Sequence, residues 1–295
     1  MRVPARGEKK VAMKLSQHAA DIFVPDGVDP ASAISRTTHL GIAAHQDDLE
    51  IMAADAILAC FHRPDRWFTG VVVTDGAGSP REGRYRDFTD EQMRDVRREE
   101  QRKAARIGEY SAVVQLDHPS VTVKNPADAR PVDDLVEILR ASRPEVVHTH
   151  NLADKHDTHV AVALRAITAI RRLRPAERPL RLYGCEVWRD LDWVVDDEKV
   201  VFDLSANEEL RVALVGAFDS QIAGGKRYDL ATEGRRRANA TYAAPHGTDT
   251  ATACGYALDL TPLAIDDSLD PAAFMRGVMD RFRQDVEARI RRHGG

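Results

Sequence analysis

The sequence has few cysteines, and they do not suit a disulfide framework. Cys60, Cys185 and Cys254 are odd in number and lie far apart in the chain, whereas disulfide-rich domains carry an even set of cysteines at regular spacing. We therefore expect three reduced thiols buried as small hydrophobic side chains. Because free thiols persist in reducing compartments, we expect a cytoplasmic protein.

Long hydrophobic runs are also absent. The best apolar stretch, residues 160–170, is interrupted by Arg165, and a helix that crosses a bilayer needs roughly 20 apolar residues. The first ten residues carry four basic side chains, but no apolar stretch follows them as it would in a signal peptide. The sequence predicts neither a transmembrane helix nor a secretory signal.

Neither sign of charge is in large excess. The chain has 42 Lys and Arg residues against 47 Asp and Glu residues, a net charge of −5. This balance argues against a nucleic-acid partner held by overall charge. A hydrophobic content of 43% with 30% charged residues is typical of a globular protein and excludes intrinsic disorder. The composition leaves open whether the protein forms a homo-oligomer.

The 295 residues are enough for one large domain or two modest ones. We find no internal repeat and no low-complexity linker. Residues 1–37 hold three prolines and no sustained periodicity, which predicts a lead-in segment that wraps the surface. We expect a single domain over residues 38–295.

Apolar patterns alternate between those of strands and those of helices from residue 40 onward. Short buried strands are predicted at residues 40–44, 68–74, 112–116 and 146–150. Amphipathic helices are predicted between and after them, at residues 49–61, 89–107, 132–141 and 158–173. This order predicts βαβ units, and hence an α/β fold with a Rossmann-like, mainly parallel sheet and helices on both faces.

Beyond residue 179 the pattern becomes less regular. Strands are predicted at residues 182–187 and 200–204, and a late edge strand at residues 256–260. Helices are predicted at residues 208–218, 229–243 and 271–292. The last of these is amphipathic, which suits a helix packed on the domain. We expect a less regular C-terminal portion.

A cluster of polar side chains follows the first predicted strand. Residues 44–50 read Ala-His-Gln-Asp-Asp-Leu-Glu, and ligands of open α/β sheets bind at the carboxyl ends of strands. His45 and Asp48, three residues apart across the turn, can converge on one cation, with Asp47 beside it. The alternative is that Asp47 or Asp48 caps the next helix, but capping does not explain His45.

A second cluster follows the fourth predicted strand. Residues 146–159 contain two aspartates and four of the eleven histidines, His148, His150, His156 and His159. The last two face the same way if a helix starts near residue 157, whereas strand alternation allows at most one of the first two to reach the same site. Together with His45 and Asp48, His159 forms a set of two histidines and one carboxylate with an open position. Such a set is typical of a catalytic metal site.

These residues resemble the zinc-dependent de-N-acetylases related to N-acetylglucosaminyl-phosphatidylinositol deacetylase, the LmbE-like or PIG-L family. Its first hallmark is Ala-His-Pro-Asp-Asp followed by an acidic residue, which residues 44–50 match with Gln46 in place of the proline. Its second is His-x-Asp-His or His-x-Asn-His, matched by residues 156–159 with Thr158 at the middle position.

Weaker similarities to the family lie between and beyond the two hallmarks. Residues 74–78 resemble its glycine-rich turn, and Arg97 and Glu100 fit its Arg-x-x-Glu helix. Phe218 stands where the family has the histidine of His-x-Ser-Gln, and its loss implies an altered substrate pocket. The resemblance extends over residues 38–222.

The resemblance implies a role for each residue of the two hallmarks. His45, Asp48 and His159 would bind one zinc ion per chain, although another divalent metal such as Fe²⁺ would also suit them. Asp47 would be the general base, and a protonated His156 would act near the oxyanion. Zinc lowers the pKa of a bound water from about 15.7 to about 7, which would give hydroxide at neutral pH.

Four further residues are candidates for substrate binding: Arg97, Asp117, Trp188 and His246. Tryptophan faces suit a sugar ring, although Trp188 and the nearby Trp193 also suit a hydrophobic core. We expect a zinc-dependent amidohydrolase that uses an activated water to remove an N-acyl group, N-acetyl in the first instance. The expected substrate is a small amino sugar, such as N-acetylglucosamine, or a glycoconjugate.

Two alternatives belong to other functional classes. A non-haem iron oxygenase also uses two histidines and one carboxylate. A Rossmann-like module that binds nucleotides without catalysis would share the predicted fold, but it needs Gly-x-Gly-x-x-Gly after the first strand. Asp47 and Asp48 stand there instead and would repel a pyrophosphate.

Overall fold

Eight strands form one mixed sheet in the computed structural model, which describes residues 13–295. In chain order the strands are β1 (Asp21–Phe23), β2 (His39–Ala43), β3 (Phe68–Thr74), β4 (Ala112–His118), β5 (Val146–His150), β6 (Arg181–Cys185), β7 (Lys199–Asp203) and β8 (Cys254–Asp259). Their order across the sheet is β1-β4-β3-β2-β5-β6-β8-β7. The five central strands, β4 to β6 in this order, are parallel, so the predicted α/β fold is confirmed.

Helices cover both faces of this sheet. They are α1 (Pro30–Ser35), α2 (Asp48–Met52), α3 (Ala54–Cys60), α4 (Asp90–Ile107), α5 (Ser120–Lys124), α6 (Arg130–Ser142), α7 (Asp157–Arg171), α8 (Glu208–Val215), α9 (Asp219–Ile222), α10 (Tyr228–Thr241), α11 (Thr261–Ile265) and α12 (Pro271–Arg292). Buried side chains of α1, α6, α7 and α11 pack on one face, and those of α2, α3, α4 and α8 pack on the other. The central strands are therefore buried on both sides, which explains their continuous apolar sequences.

The two ends of the sheet differ from the sequence-based expectation. Strand β1 lies within the segment expected to be a lead-in and pairs antiparallel with β4; residues 1–12, with their four basic side chains, lie outside the described residues. Strand β8, expected at the edge, lies between β6 and β7 and is antiparallel to both. Apolar alternation within a strand does not specify its partners, so the sequence could not place β8.

The helix predicted over residues 49–61 is broken into α2 and α3 at Ala53. A side chain from a distant helix explains the break. Arg236 of α10 donates through Nη2 to the main-chain carbonyl oxygens of Glu50, at 2.8 Å, and Ile51, at 3.3 Å. A continuous helix would use these two carbonyls for its own hydrogen bonds. The break is therefore a tertiary effect.

The strand order places β2 next to β5 at the centre of the sheet. From β2 the chain proceeds outward to β3 and β4, and from β5 it proceeds in the opposite direction to β6. The crevice between the carboxyl ends of such a pair is where open α/β sheets bind ligands. Both polar clusters identified in the sequence follow these two strands.

Two glycines on the central strands make room for the first residue after the acidic pair. A Cβ atom on Gly41 of β2 would lie 2.6 Å from Cδ2 of Leu49, and one on Gly70 of β3 would lie 2.5 Å from its Cδ1. Both distances are far below van der Waals contact. The side chain of Leu49, which is fully buried, occupies this space and anchors the start of α2 against the sheet.

Two expectations from composition can be compared with the structure. The three cysteines are buried and unpaired, as expected. Within residues 13–295, none of the helices combines the length and the apolar character that spanning a membrane requires.

We predict that Gly70→Ala destabilises the protein by about 1–3 kcal/mol, the usual cost of overpacking a core. The free energy of unfolding in urea measures this effect. Leu49→Ala, which removes the atoms that the new methyl group would meet, is the matched partner for a double-mutant cycle. The double variant should be more stable than the sum of the two single effects predicts, and strict additivity would contradict the packing described here.

Candidate functional site

Three side-chain atoms from the two polar clusters meet in a small triangle. Nδ1 of His45 lies 3.2 Å from Oδ2 of Asp48 and 3.2 Å from Nε2 of His159, and the latter two atoms are 3.4 Å apart. Ligands at about 2.0–2.1 Å from a tetrahedral ion lie about 3.3–3.4 Å from one another. The spacing and the chemistry of these donors therefore fit a small divalent cation such as zinc.

The turn after β2 brings the two acidic residues to this position. Asp47 has a φ of 95°, a conformation that side-chain-bearing residues rarely adopt, and its side chain makes no capping hydrogen bond to α2. Oδ2 of Asp48 accepts a hydrogen bond from the backbone N–H of His45 at 2.8 Å. Helix capping, the alternative for this segment, therefore does not explain Asp47.

Asp47 lies beside the triangle and is held by Arg97. Nη2 of Arg97 is 3.3 Å from Oδ2 of Asp47 and donates a hydrogen bond to the main-chain oxygen of Gln46. Burial raises the pKa of Asp47 to about 7, although Arg97 acts in the opposite direction. A carboxyl group with such a pKa is suited to accept a proton near neutral pH.

This position changes the interpretation of Arg97. We expected it to bind substrate, but only 1% of its side chain is exposed. The arginine therefore acts on Asp47 and is enclosed by the protein. Gln46, which replaces the proline of the family pattern, is also buried, and its amide donates to Oε1 of Gln115 at 3.2 Å and to the main-chain oxygen of Thr74 at 3.5 Å.

The carboxylate of Asp48 is stabilised in its ionised form. Burial opposes ionisation, but the adjacent His159 and His150 outweigh it and hold the pKa of Asp48 well below its usual range. A negative carboxylate between imidazoles is the form that binds a metal cation.

Strand alternation separates the two histidines of β5, as predicted. His150 lies at the site, stacked on His159 with ring centroids 3.9 Å apart, whereas His148 points to the other face and pairs with Asp55 at 2.9 Å. Nε2 of His150 accepts a hydrogen bond from the backbone N–H of Ala44 at 2.8 Å. This bond occupies the Nε2 lone pair of His150. Asp48, His150 and His159 nevertheless form a second group of donor atoms close enough to hold a metal.

His156 stands at the start of α7, next to the triangle. Its ring centroid is 5.0 Å from that of His45 and 4.5 Å from that of His159. Its Nδ1 accepts a hydrogen bond from the backbone N–H of Thr158 at 3.3 Å, which leaves the proton on Nε2. Burial and the neighbouring His159 lower the pKa of His156, so the structure favours a neutral imidazole in place of the protonated one that we expected.

An aromatic wall, which we define as Trp188 and Tyr228, borders His156. The ring centroid of Trp188 lies 6.3 Å from that of His156 and 6.2 Å from that of Tyr228, and Nζ of Lys226 is 5.0 Å from the Trp188 ring. Burial and the charges of Asp47 and Asp48 raise the pKa of Tyr228. Sequence reasoning missed Tyr228 as a site residue because no local motif marks it.

Two of the residues expected to bind substrate, Asp117 and His246, make no contact with the triangle or with Asp47 within residues 13–295. Asp117 pairs with Arg98 at 3.1 Å. His246 is exposed in the loop between α10 and β8. Trp188 is thus the one member of the expected substrate set that lines the site from an accessible position.

Two weaker similarities to the family pattern meet in space. Oε1 and Oε2 of Glu100 accept hydrogen bonds from the backbone N–H and the hydroxyl of Ser220, both at 2.6 Å. Phe218 packs against the guanidinium of Arg97, with 5.8 Å between Cζ and the ring centroid. The Arg-x-x-Glu helix and the x-x-Ser-Gln segment therefore pack together around Arg97, the partner of Asp47.

Comparisons with known proteins give one family match. A family model described as PIG-L, GlcNAc-PI de-N-acetylase, matches residues 40–170, which include both polar clusters and strands β2 to β5. No curated protein matches the chain significantly.

Solved structures share the fold at low sequence identity. A conserved protein from Thermus thermophilus is 20% identical, with a TM-score of 0.55 and coverage of 76% of this chain and 94% of the other. The 4-carboxy-2-hydroxymuconate hydratase GalB from Pseudomonas putida is 18% identical, with a TM-score of 0.56 and coverage of 76% and 96%. The N,N'-diacetylchitobiose deacetylase from Pyrococcus horikoshii is 16% identical, with a TM-score of 0.56 and coverage of 75% and 83%. Residues 40–170, which carry both motifs, are thus similar to the PIG-L family.

Proposed function

We propose that the protein is a metal-dependent hydrolase that removes the N-acetyl group of an amino sugar or glycoconjugate. The observation that carries this proposal is the triangle of His45, Asp48 and His159 with the carboxylate of Asp47 beside it. It is further supported by the family model, which is named for GlcNAc-PI de-N-acetylase, and by the fold shared with a chitobiose deacetylase. One zinc ion per chain is the metal that we propose.

Each side chain of the site has a separate task in this reaction. The metal, when bound, supplies a Lewis acid that lowers the pKa of a water to about 7. Asp47 accepts a proton from the attacking water and later delivers it to the leaving amine, while Arg97 holds its carboxylate in place. His156, whose Nε2 carries the proton, donates a hydrogen bond to the oxyanion of the tetrahedral intermediate.

The aromatic wall gives the substrate a place to bind. The indole of Trp188 lies beside His156 and is partly exposed, and an aromatic face of this kind suits the apolar side of a sugar ring. The N-acetyl group of a sugar on this wall would lie near His156 and the triangle. We therefore propose Trp188 and Tyr228 as the substrate contacts, in place of Arg97.

Products distinguish a deacetylase from the other chemistry known on this fold. Mass spectrometry of a panel of N-acetylated amino sugars and glycoconjugates should show acetate and a free amine in equal amounts. A gain of one water without release of acetate would indicate a hydratase, the activity named for the structural relative GalB. Iron in anaerobically purified protein, together with oxygen consumption, would indicate an oxygenase.

Substitutions at the acidic pair should separate the metal ligand from the general base. Asp48→Ala and His159→Ala should each lose bound zinc, because a site with three protein ligands cannot spare one. Asp47→Asn keeps the shape of the side chain and should keep one equivalent of zinc, but it should lose about 10²–10⁴-fold in kcat because the proton acceptor is gone. Zinc content, Tm and kcat of the three variants test this assignment, and a fully active, zinc-loaded Asp47→Asn enzyme would falsify the role of Asp47.

His156→Ala should lower kcat by about 10²–10³-fold, the scale of a lost oxyanion donor. Zinc content should stay near one equivalent, since His156 is not one of the three proposed ligands. His62→Ala, at an exposed histidine that pairs with Glu109, is the control and should retain the parental rate. If His156→Ala lost its zinc, His156 would have to be reassigned as a ligand.

A further inference from the structure

Asp154 is a buried carboxylate with contacts to three parts of the candidate site. It lies in the loop between β5 and α7, and none of its side chain is exposed. Its Oδ1 accepts a hydrogen bond from the backbone N–H of His156 at 2.9 Å, and its Oδ2 accepts one from the backbone N–H of Trp188 at 3.0 Å. Oδ2 also lies 3.5 Å from Nδ1 of His159.

The contact with His159 is on the side of the ring opposite the triangle. Nε2 of His159 faces His45 and Asp48, and Nδ1 faces Asp154. In residues 13–295, no other carboxylate lies within 4.0 Å of this Nδ1. A carboxylate in this position fixes the tautomer and the orientation of a metal-binding imidazole and makes it a stronger ligand.

The contact with Trp188 fixes the point where the chain leaves β6. The backbone of this residue is held by Asp154, while its indole stands beside His156 in the aromatic wall. One oxygen atom, Oδ2, therefore contacts both a proposed metal ligand and the backbone of the proposed substrate wall. A movement of His159 on binding a cation would therefore alter the surroundings of this oxygen.

We propose that Asp154 is a positioning residue that couples metal loading to the aromatic wall: it orients His159 for the metal and, through the same carboxylate, holds Trp188. The coupling rests on the metal site of the proposed function, but not on which reaction that site catalyses. Because of this coupling, zinc binding should change the fluorescence of Trp188. The affinity for zinc should in turn depend on Asp154.

Asp154→Asn tests the proposal because asparagine has one carbonyl oxygen and no charge, so it cannot accept at both positions. The matched control is Asp157→Asn, which removes the same charge from an exposed residue in the first turn of α7. Zinc affinity is measured by competition with a chromogenic chelator. The emission of Trp188 with and without zinc is taken as the part of the protein fluorescence that is absent from Trp188→Phe.

Asp154→Asn should bind zinc about 10–100-fold more weakly than the parent, the usual effect of losing such a support, and should lose the zinc-dependent change in Trp188 emission. Asp157→Asn should match the parent in both measurements. Parental zinc affinity in Asp154→Asn would overturn the positioning role. An emission change that survives in this variant, or is missing from the parent, would overturn the coupling.

Two further results keep the proposal separate from the proposed function and from simple misfolding. If Asp154→Asn does not fold, Asp154→Glu replaces it, because glutamate keeps the charge but displaces it by one methylene group. Parental zinc affinity in Asp154→Glu would equally overturn the proposal. A parent that binds zinc and shows the coupling but releases no acetate would contradict the deacetylase function alone. A parent that binds no zinc would contradict both.

Discussion

The packing of Leu49 against Gly41 and Gly70 determines the geometry of the whole site. Its side chain fills space that two Cβ atoms would otherwise occupy on adjacent strands, so α2 can start only with this residue facing the sheet. The acidic pair immediately precedes it. Asp47, in the turn that leads into this contact, has a φ of 95°, and local strain of this kind persists only where the surrounding packing requires it.

The site also contains several negative charges that a bound cation would balance. Asp48 and Asp154 flank His159 on its two sides, and Asp47 pairs with Arg97. Buried carboxylates are costly unless they are paired with positive charge or with hydrogen-bond donors. Nδ1 of His159 lies beside Asp154, while its Nε2 and Nδ1 of His45 lie beside Asp48. A divalent ion bound between these atoms would balance the negative charges.

Features that depend on residues close together in the chain could be predicted from local sequence patterns. Strand and helix periodicity located the central strands, and the rule of alternating faces separated His148 from His150. Contacts between distant segments could not be predicted in this way. The hydrogen bonds of Arg236 to the helix after β2, the enclosure of Arg97 and the contact of Tyr228 with Trp188 all depend on tertiary packing. A single sequence contains no periodic signal for such contacts.

The glutamine that stands where the family pattern has proline changes how the turn after β2 is made rigid. A proline restricts the unfolded chain, so it stabilises a turn mainly by reducing the entropy lost on folding. Gln46 instead restrains the turn through side-chain hydrogen bonds to Gln115 and Thr74, a contribution that is mainly enthalpic. The order of this turn, and with it the alignment of Asp47, therefore depends more on temperature than it would with an imino acid at this position.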